Sequence, residues 1–96
     1  MSEKEVEKMI KETIYKFINP KNYMVFIFGS RANGKASKYS DFDIGIMGKK
    51  SVPIKVLNSI EEILEDSDLP FNIDVVDFSK TTKKFQDVAL LKTKKI

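Results

Sequence analysis

The chain has 96 residues, 42% of them hydrophobic and 32% charged, a formal net charge of +3, and neither cysteine nor histidine. That length suits one domain spanning residues 1–96, and the missing residue types exclude a disulfide framework, a Cys/His zinc site, a thiol nucleophile and an imidazole base. Acid–base or metal chemistry must therefore use carboxylates, Lys, Tyr or hydroxyls; no apolar run approaches the ~20 residues of a membrane span, and the charged start MSEKEVEK, without a signal-peptide pattern, points to a cytoplasmic protein.

In residues 3–18, Val6, Met9, Ile10, Ile14 and Phe17 recur at spacings of three or four, which predicts an amphipathic helix. Ser2 and Glu5 have capping-box spacing at its start, and Asn19-Pro20 ends it. Tyr23 to Phe28 is a near-continuous apolar run, the pattern of a strand buried on both faces. Gly29-Ser30 stops that strand, and Arg31 to Ala36 has room for no more than a turn or two of helix. From Asp41 to Met47 the pattern alternates, with Asp41, Asp43, Gly45 and Met47 on one face and Phe42, Ile44 and Ile46 on the other. Pro53 opens a second amphipathic helix carrying Val56, Leu57, Ile60, Ile63 and Leu64. Phe71 to Phe78 reads as a third strand. A last helix within 81–92, capped by Ser79 or Thr81, carries Phe85, Val88 and Ala89. The order α-β-(short α)-β-α-β-α predicts an α/β (α+β) domain, a small mixed three-stranded sheet flanked by helices. The lysines crowding the last seventeen residues read as a solvated helix face with a frayed end.

The stretch Gly29 to Asp43, GSRANGKASKYSDFD, admits two phosphate-binding readings. Its first seven residues, Gly29 to Lys35 (GSRANGK), resemble the start of a P-loop, yet Ala36 stands where a magnesium-holding hydroxyl is required, and a new strand begins six residues after Lys35 instead of a full helix. The longer pattern is Gly-Ser, ten residues, then Asp-x-Asp. Asp41 and Asp43, two apart on a strand, project to one side within reach of the same hard cation. A third carboxylate comes from the strand FNIDVVDF. Asp77 lies three residues beyond Asp74 and faces the opposite way, so Asp74 is the candidate. Three such carboxylates repel one another unless a divalent ion neutralises them. At the strand end, Gly29 lets a phosphate approach the backbone, and the Ser30 hydroxyl with the following amides can hold its oxygens.

The stretches FGSRANGKASKYSDFDIGI and FNIDVVDF resemble the minimal (MNT-type) nucleotidyltransferases of the DNA polymerase beta superfamily. The likeness covers residues 23–78 in detail and implies the polymerase beta-like nucleotidyltransferase fold. It further implies that Gly29 and Ser30 bind the β- and γ-phosphates of ATP, that Asp41, Asp43 and Asp74 hold two Mg²⁺, and that Asp74 deprotonates an attacking hydroxyl. Arg31, next to the serine, is expected to touch the triphosphate. The implied reaction moves AMP from ATP to a hydroxyl and releases pyrophosphate. Ninety-six residues leave no room for an acceptor-gripping second domain. The resemblance therefore implies a protein acceptor: a tyrosine of a HEPN-type helical toxin, with this chain as its antitoxin. Helix 3–18 or helix 81–92 would supply the docking surface. Two alternatives remain: a non-catalytic module that neutralises a helical partner by contact, and a transferase acting on RNA ends, suggested by the basic tail.

Overall fold

A computed structural model describes residues 1–96. Helix α1 (Glu3–Ile14) starts at the expected capping box: the Glu5 amide donates to Ser2 Oγ at 3.2 Å, and the Ser2 amide donates to Glu5 Oε1 at 3.1 Å. Strand β1 (Tyr23–Phe28), the single-turn helix α2 (Ser30–Asn33) and strand β2 (Phe42–Gly48) follow. Helix α3 (Ile54–Glu65) leads to strand β3 (Ile73–Asp77), a 3₁₀ turn (Phe78–Lys80), helix α4 (Lys83–Ala89) and strand β4 (Lys94–Lys95).

The sheet order is β3-β2-β1-β4. β1 runs antiparallel to β2 and to β4, while β2 and β3 are parallel, so the sheet is mixed as expected. β1 is apolar on both faces because it is a central strand covered on both sides. Val25 and Ile27 join Phe42, Ile44 and Ile46 under α1 (Val6, Ile10, Ile14) and α3 (Leu57, Ile60, Leu64) in one buried cluster. Phe26 and Phe28 face the other way and meet Phe78 edge-on, with ring centroids 4.9 and 5.1 Å apart. Truncating a fully buried side chain of the first cluster, such as Ile10, to alanine costs about 2–5 kcal/mol.

Four details differ from the expectations. The sheet has a fourth strand: Phe26 and Ile27 pair with Lys95 and Lys94, and Lys94 Nζ reaches the buried Glu7 carboxylate at 2.8 Å. The end of the basic tail is thus a sheet edge instead of a frayed helix face, since the backbone of β1 offers an open ladder that needs no apolar pattern from its partner. α1 stops at Ile14, so Phe17 lies beyond it and is 37% exposed, as is Met9 within the helix. The cap of α4 is Thr82, whose Oγ1 accepts from the Phe85 amide at 3.1 Å; Thr81 Oγ1 donates to the Phe78 carbonyl and Ser79 bonds to Asp77. Finally, the apolar stripe of α1 is spent on the core, whereas α4 leaves Phe85, Val88 and the following Leu91 exposed. No helix is long and apolar enough to cross a membrane.

Candidate active site

The face of the sheet away from α1 and α3 carries the candidate residues at one end. Phe28 is in register with Asp43, and Asp43 with Asp74. Residues in register on neighbouring strands project to the same face about 4.8 Å apart. The Asp43 and Asp74 side chains are therefore neighbours, and Asp41, two residues before Asp43, follows the same parity. Burial raises the Asp43 pKa above its ordinary 3.8, and the negative charges of Asp74 and then Asp41 raise it further. Asp41 and Asp74 are exposed and line a groove of about 710 Å³ that runs along β3 to Glu61 and Glu65 of α3 and leaves out Asp43. Asp77, on the opposite face, is 5% exposed and fully committed: its carboxylate accepts from the Val52 amide at 2.7 Å, the Ser79 amide at 3.0 Å and the Ser79 hydroxyl at 2.7 Å.

Gly29 closes the site from β1. Its φ of +73° and ψ of −151° lie where essentially only glycine goes, and a β-carbon there would overlap Asp43 Oδ2. The turn and the carboxylate are packed against each other because residue 29 has no side chain. The Ser30 and Arg31 amides head α2 and have no acceptor within it. Beside Gly29, a groove of about 540 Å³ is lined by Phe28, Phe85, Val88 and Leu91 and flanked by Lys35 and Lys92. Lys92 carried no motif in the sequence; β4, antiparallel to β1, brings it beside Gly29. Lys38, by contrast, lies over the Tyr39 ring at 5.4 Å.

Arg31 does not point into the site. Its Nε and Nη2 donate to the Ser40 carbonyl at 3.1 and 2.7 Å, and its guanidinium stacks 4.0 Å from the Phe42 ring centroid. Its side chain is only 6% exposed and packs behind the strand end that carries the aspartates.

The three carboxylates share one strand end without forming a ready-made three-carboxylate cage. Their chemistry nonetheless fits a hard divalent cation. All donors are oxygens, and the pKa of Asp43, raised first by burial, is raised further by the negative charges of Asp74 and Asp41, which a cation would neutralise. Asp41, Asp43 and Asp74 are the residues that could hold it.

Residues 8–96 match the family model for "Polymerase beta, Nucleotidyltransferase". The chain is 35% identical, over 85 residues, to a protein of Haemophilus influenzae named probable protein adenylyltransferase MntA, covering 88% of this chain and 74% of that one. Its fold matches a crystal structure of a toxin–antitoxin with AMP-PNP at a TM-score of 0.74 and 22% identity, over 93% of this chain and 70% of the other. A tri-AMPylated Shewanella oneidensis HEPN toxin in complex with an MNT antitoxin matches at a TM-score of 0.55 and 17% identity, over 92% and 69%. With nearly its whole length inside the family model, the chain belongs to the polymerase beta nucleotidyltransferase family.

Proposed function

We propose that the chain is a magnesium-dependent protein adenylyltransferase that moves AMP from ATP to a tyrosine hydroxyl of a HEPN-type helical partner and so acts as that partner's antitoxin. The observation that carries this reading is the row Gly29–Asp43–Asp74: a glycine turn packed on one carboxylate whose register neighbour is another. The names of the H. influenzae relative and of the structurally similar complexes support the partner and the transferred group.

Each residue has a task that follows from its place. The Gly29–Ser30 turn binds the β- and γ-phosphates, because the missing side chain lets polyphosphate oxygens reach backbone amides. Asp43 and Asp41, with Asp74 beside them, would hold the metal, and packing against Gly29 orients Asp43. Asp74, exposed at the open side of the row, accepts the proton from the attacking hydroxyl. A bond forms between that oxygen and the α-phosphorus, and the bond from the α-phosphorus to the bridging oxygen breaks, releasing pyrophosphate. Held by these aspartates, Mg²⁺ would supply the charge that polarises the α-phosphate and balances the leaving pyrophosphate.

The test is intact-mass analysis of the protein encoded beside this chain after incubation with the chain, ATP and Mg²⁺. The expected result is a mass increase of one or more AMP groups. Neutralisation of the partner without any mass change would assign the chain to contact inhibition instead. Addition of nucleotides to RNA in place of the partner would assign it to RNA ends.

A further inference from the structure

Buried arginines are expensive to desolvate and need a full set of partners. Arg31 has one. Besides its two bonds to the Ser40 carbonyl, Nη2 donates to the Lys38 carbonyl at 3.4 Å. The guanidinium also lies over two rings, 4.0 Å from the centroid of Phe42 and 4.9 Å from that of Phe71. Those rings meet edge-on at 5.2 Å, and Nη1 lies 3.8 Å from the Glu3 carboxylate.

The positions of these partners along the chain are informative. Arg31 directly follows Ser30, Ser40 directly precedes Asp41, Phe42 stands between Asp41 and Asp43, and Phe71 is three residues before Asp74. Phe42 belongs to the face covered by α1 and α3, opposite the face that carries Asp43. A single cation behind the sheet thus touches the segment next to every group of the candidate site.

We propose that Arg31 is a positioning residue: from behind the sheet it fixes the spacing between the Gly29–Ser30 turn and the three aspartates, and it makes no contact with the triphosphate. This rests on the reading of the site given above. To reach a phosphate, the guanidinium would have to leave the Ser40 carbonyl and both rings. Lysine cannot substitute, because one ammonium lacks the planar fork that donates twice to one carbonyl while stacking on two rings.

The test compares wild type with Arg31→Met, Arg31→Lys and Phe71→Leu, each at a temperature where circular dichroism shows it folded. Backbone amide shifts of Asp41, Asp43 and Asp74 are followed during a magnesium titration, a readout independent of turnover. The magnesium needed for half-saturation is expected to rise about tenfold in both Arg31 variants and by a smaller factor in Phe71→Leu. For AMP transfer, kcat is expected to fall about 100-fold in the Arg31 variants with KM for ATP within about twofold of wild type. Unchanged magnesium titrations in all three variants would overturn the proposal. So would a rise in KM for ATP of about tenfold or more at unchanged kcat, the signature of a lost phosphate contact. If Arg31→Met does not fold, Arg31→Lys and Phe71→Leu decide. A wild type that transfers no AMP sinks the functional reading, and the magnesium titration still judges Arg31.

Discussion

Replacing Gly29 by alanine separates backbone strain from damage to the site, because a second glycine supplies the control. At Gly29 the backbone sits at φ +73° and ψ −151°, a region costing roughly 1–3 kcal/mol for any residue with a β-carbon. The new methyl would also overlap Asp43 Oδ2 and come within 3.2 Å of Asp43 Cγ. A carboxylate end can turn aside, so the clash is relieved by moving Asp43 away from the turn, and a displacement of about 1 Å at a reacting centre costs about 100-fold in rate. Gly34 caps α2 in the left-handed region, at φ +79° and ψ 7°, with nothing within 4 Å of its would-be β-carbon. Gly34→Ala therefore bears only strain, about 1–2 kcal/mol. At 4–8 °C per kcal/mol for a domain of this size, Gly29→Ala should lose roughly 4–24 °C of Tm and Gly34→Ala roughly 4–16 °C. Thermal unfolding and AMP transfer, the latter measured where both variants are folded, should show similar destabilisation but a 100-fold rate loss confined to Gly29→Ala. Equal transfer rates for the two variants would refute the claim that packing of Asp43 on the turn matters for function.

Other perturbations probe the same structure elsewhere. Because the folded-state pKa of Asp43 is raised above 3.8, its ionisation weakens the fold, and stability contributed below that value is lost as pH rises through the raised pKa. Asp43→Asn should remove that loss, giving a higher urea midpoint than wild type at pH 7 without metal and a smaller difference at pH 3. Asp77→Asn places an amide NH₂ or a single acceptor where three donors converge; it should cost about 1–3 kcal/mol in urea unfolding while each folded molecule transfers AMP normally. Lys94→Met leaves the Glu7 carboxylate buried without its partner. Since Lys94 is half exposed, the expected cost is modest, about 1 kcal/mol, with faster hydrogen exchange at the Ile96 amide, which donates to Val25.

The sequence disclosed those parts of the fold whose burial is written into residue type. β1 was legible because both of its faces are covered, which demands an unbroken apolar run. β2 was legible because one face meets the helices and the other carries aspartate and glycine. Period-two parity also assigned Asp74 and Asp77 to opposite faces, and the structure gives Asp77 its own structural employment. β4 was not legible. Its two lysines have no pattern, and the strand exists because β1 presents a free ladder and Glu7 a buried carboxylate. The cap of α4 was hidden among several neighbouring hydroxyls, since only the helix start decides which one is used. The surroundings of the Arg31 side chain were not legible for a related reason. Adjacency to a phosphate-binding serine says where the backbone lies, whereas the Phe42 and Phe71 rings that draw the side chain behind the sheet come from distant segments.

The most direct test of the account is a comparison of Asp74→Asn with wild type in two assays on the same preparation: Mg²⁺-dependent binding of ATP, and transfer of AMP to the partner. Asp74 is exposed, so the substitution should leave the fold intact. The account predicts that ATP still binds through the Gly29–Ser30 turn while the partner gains no AMP. Transfer by Asp74→Asn at the wild-type rate would contradict it.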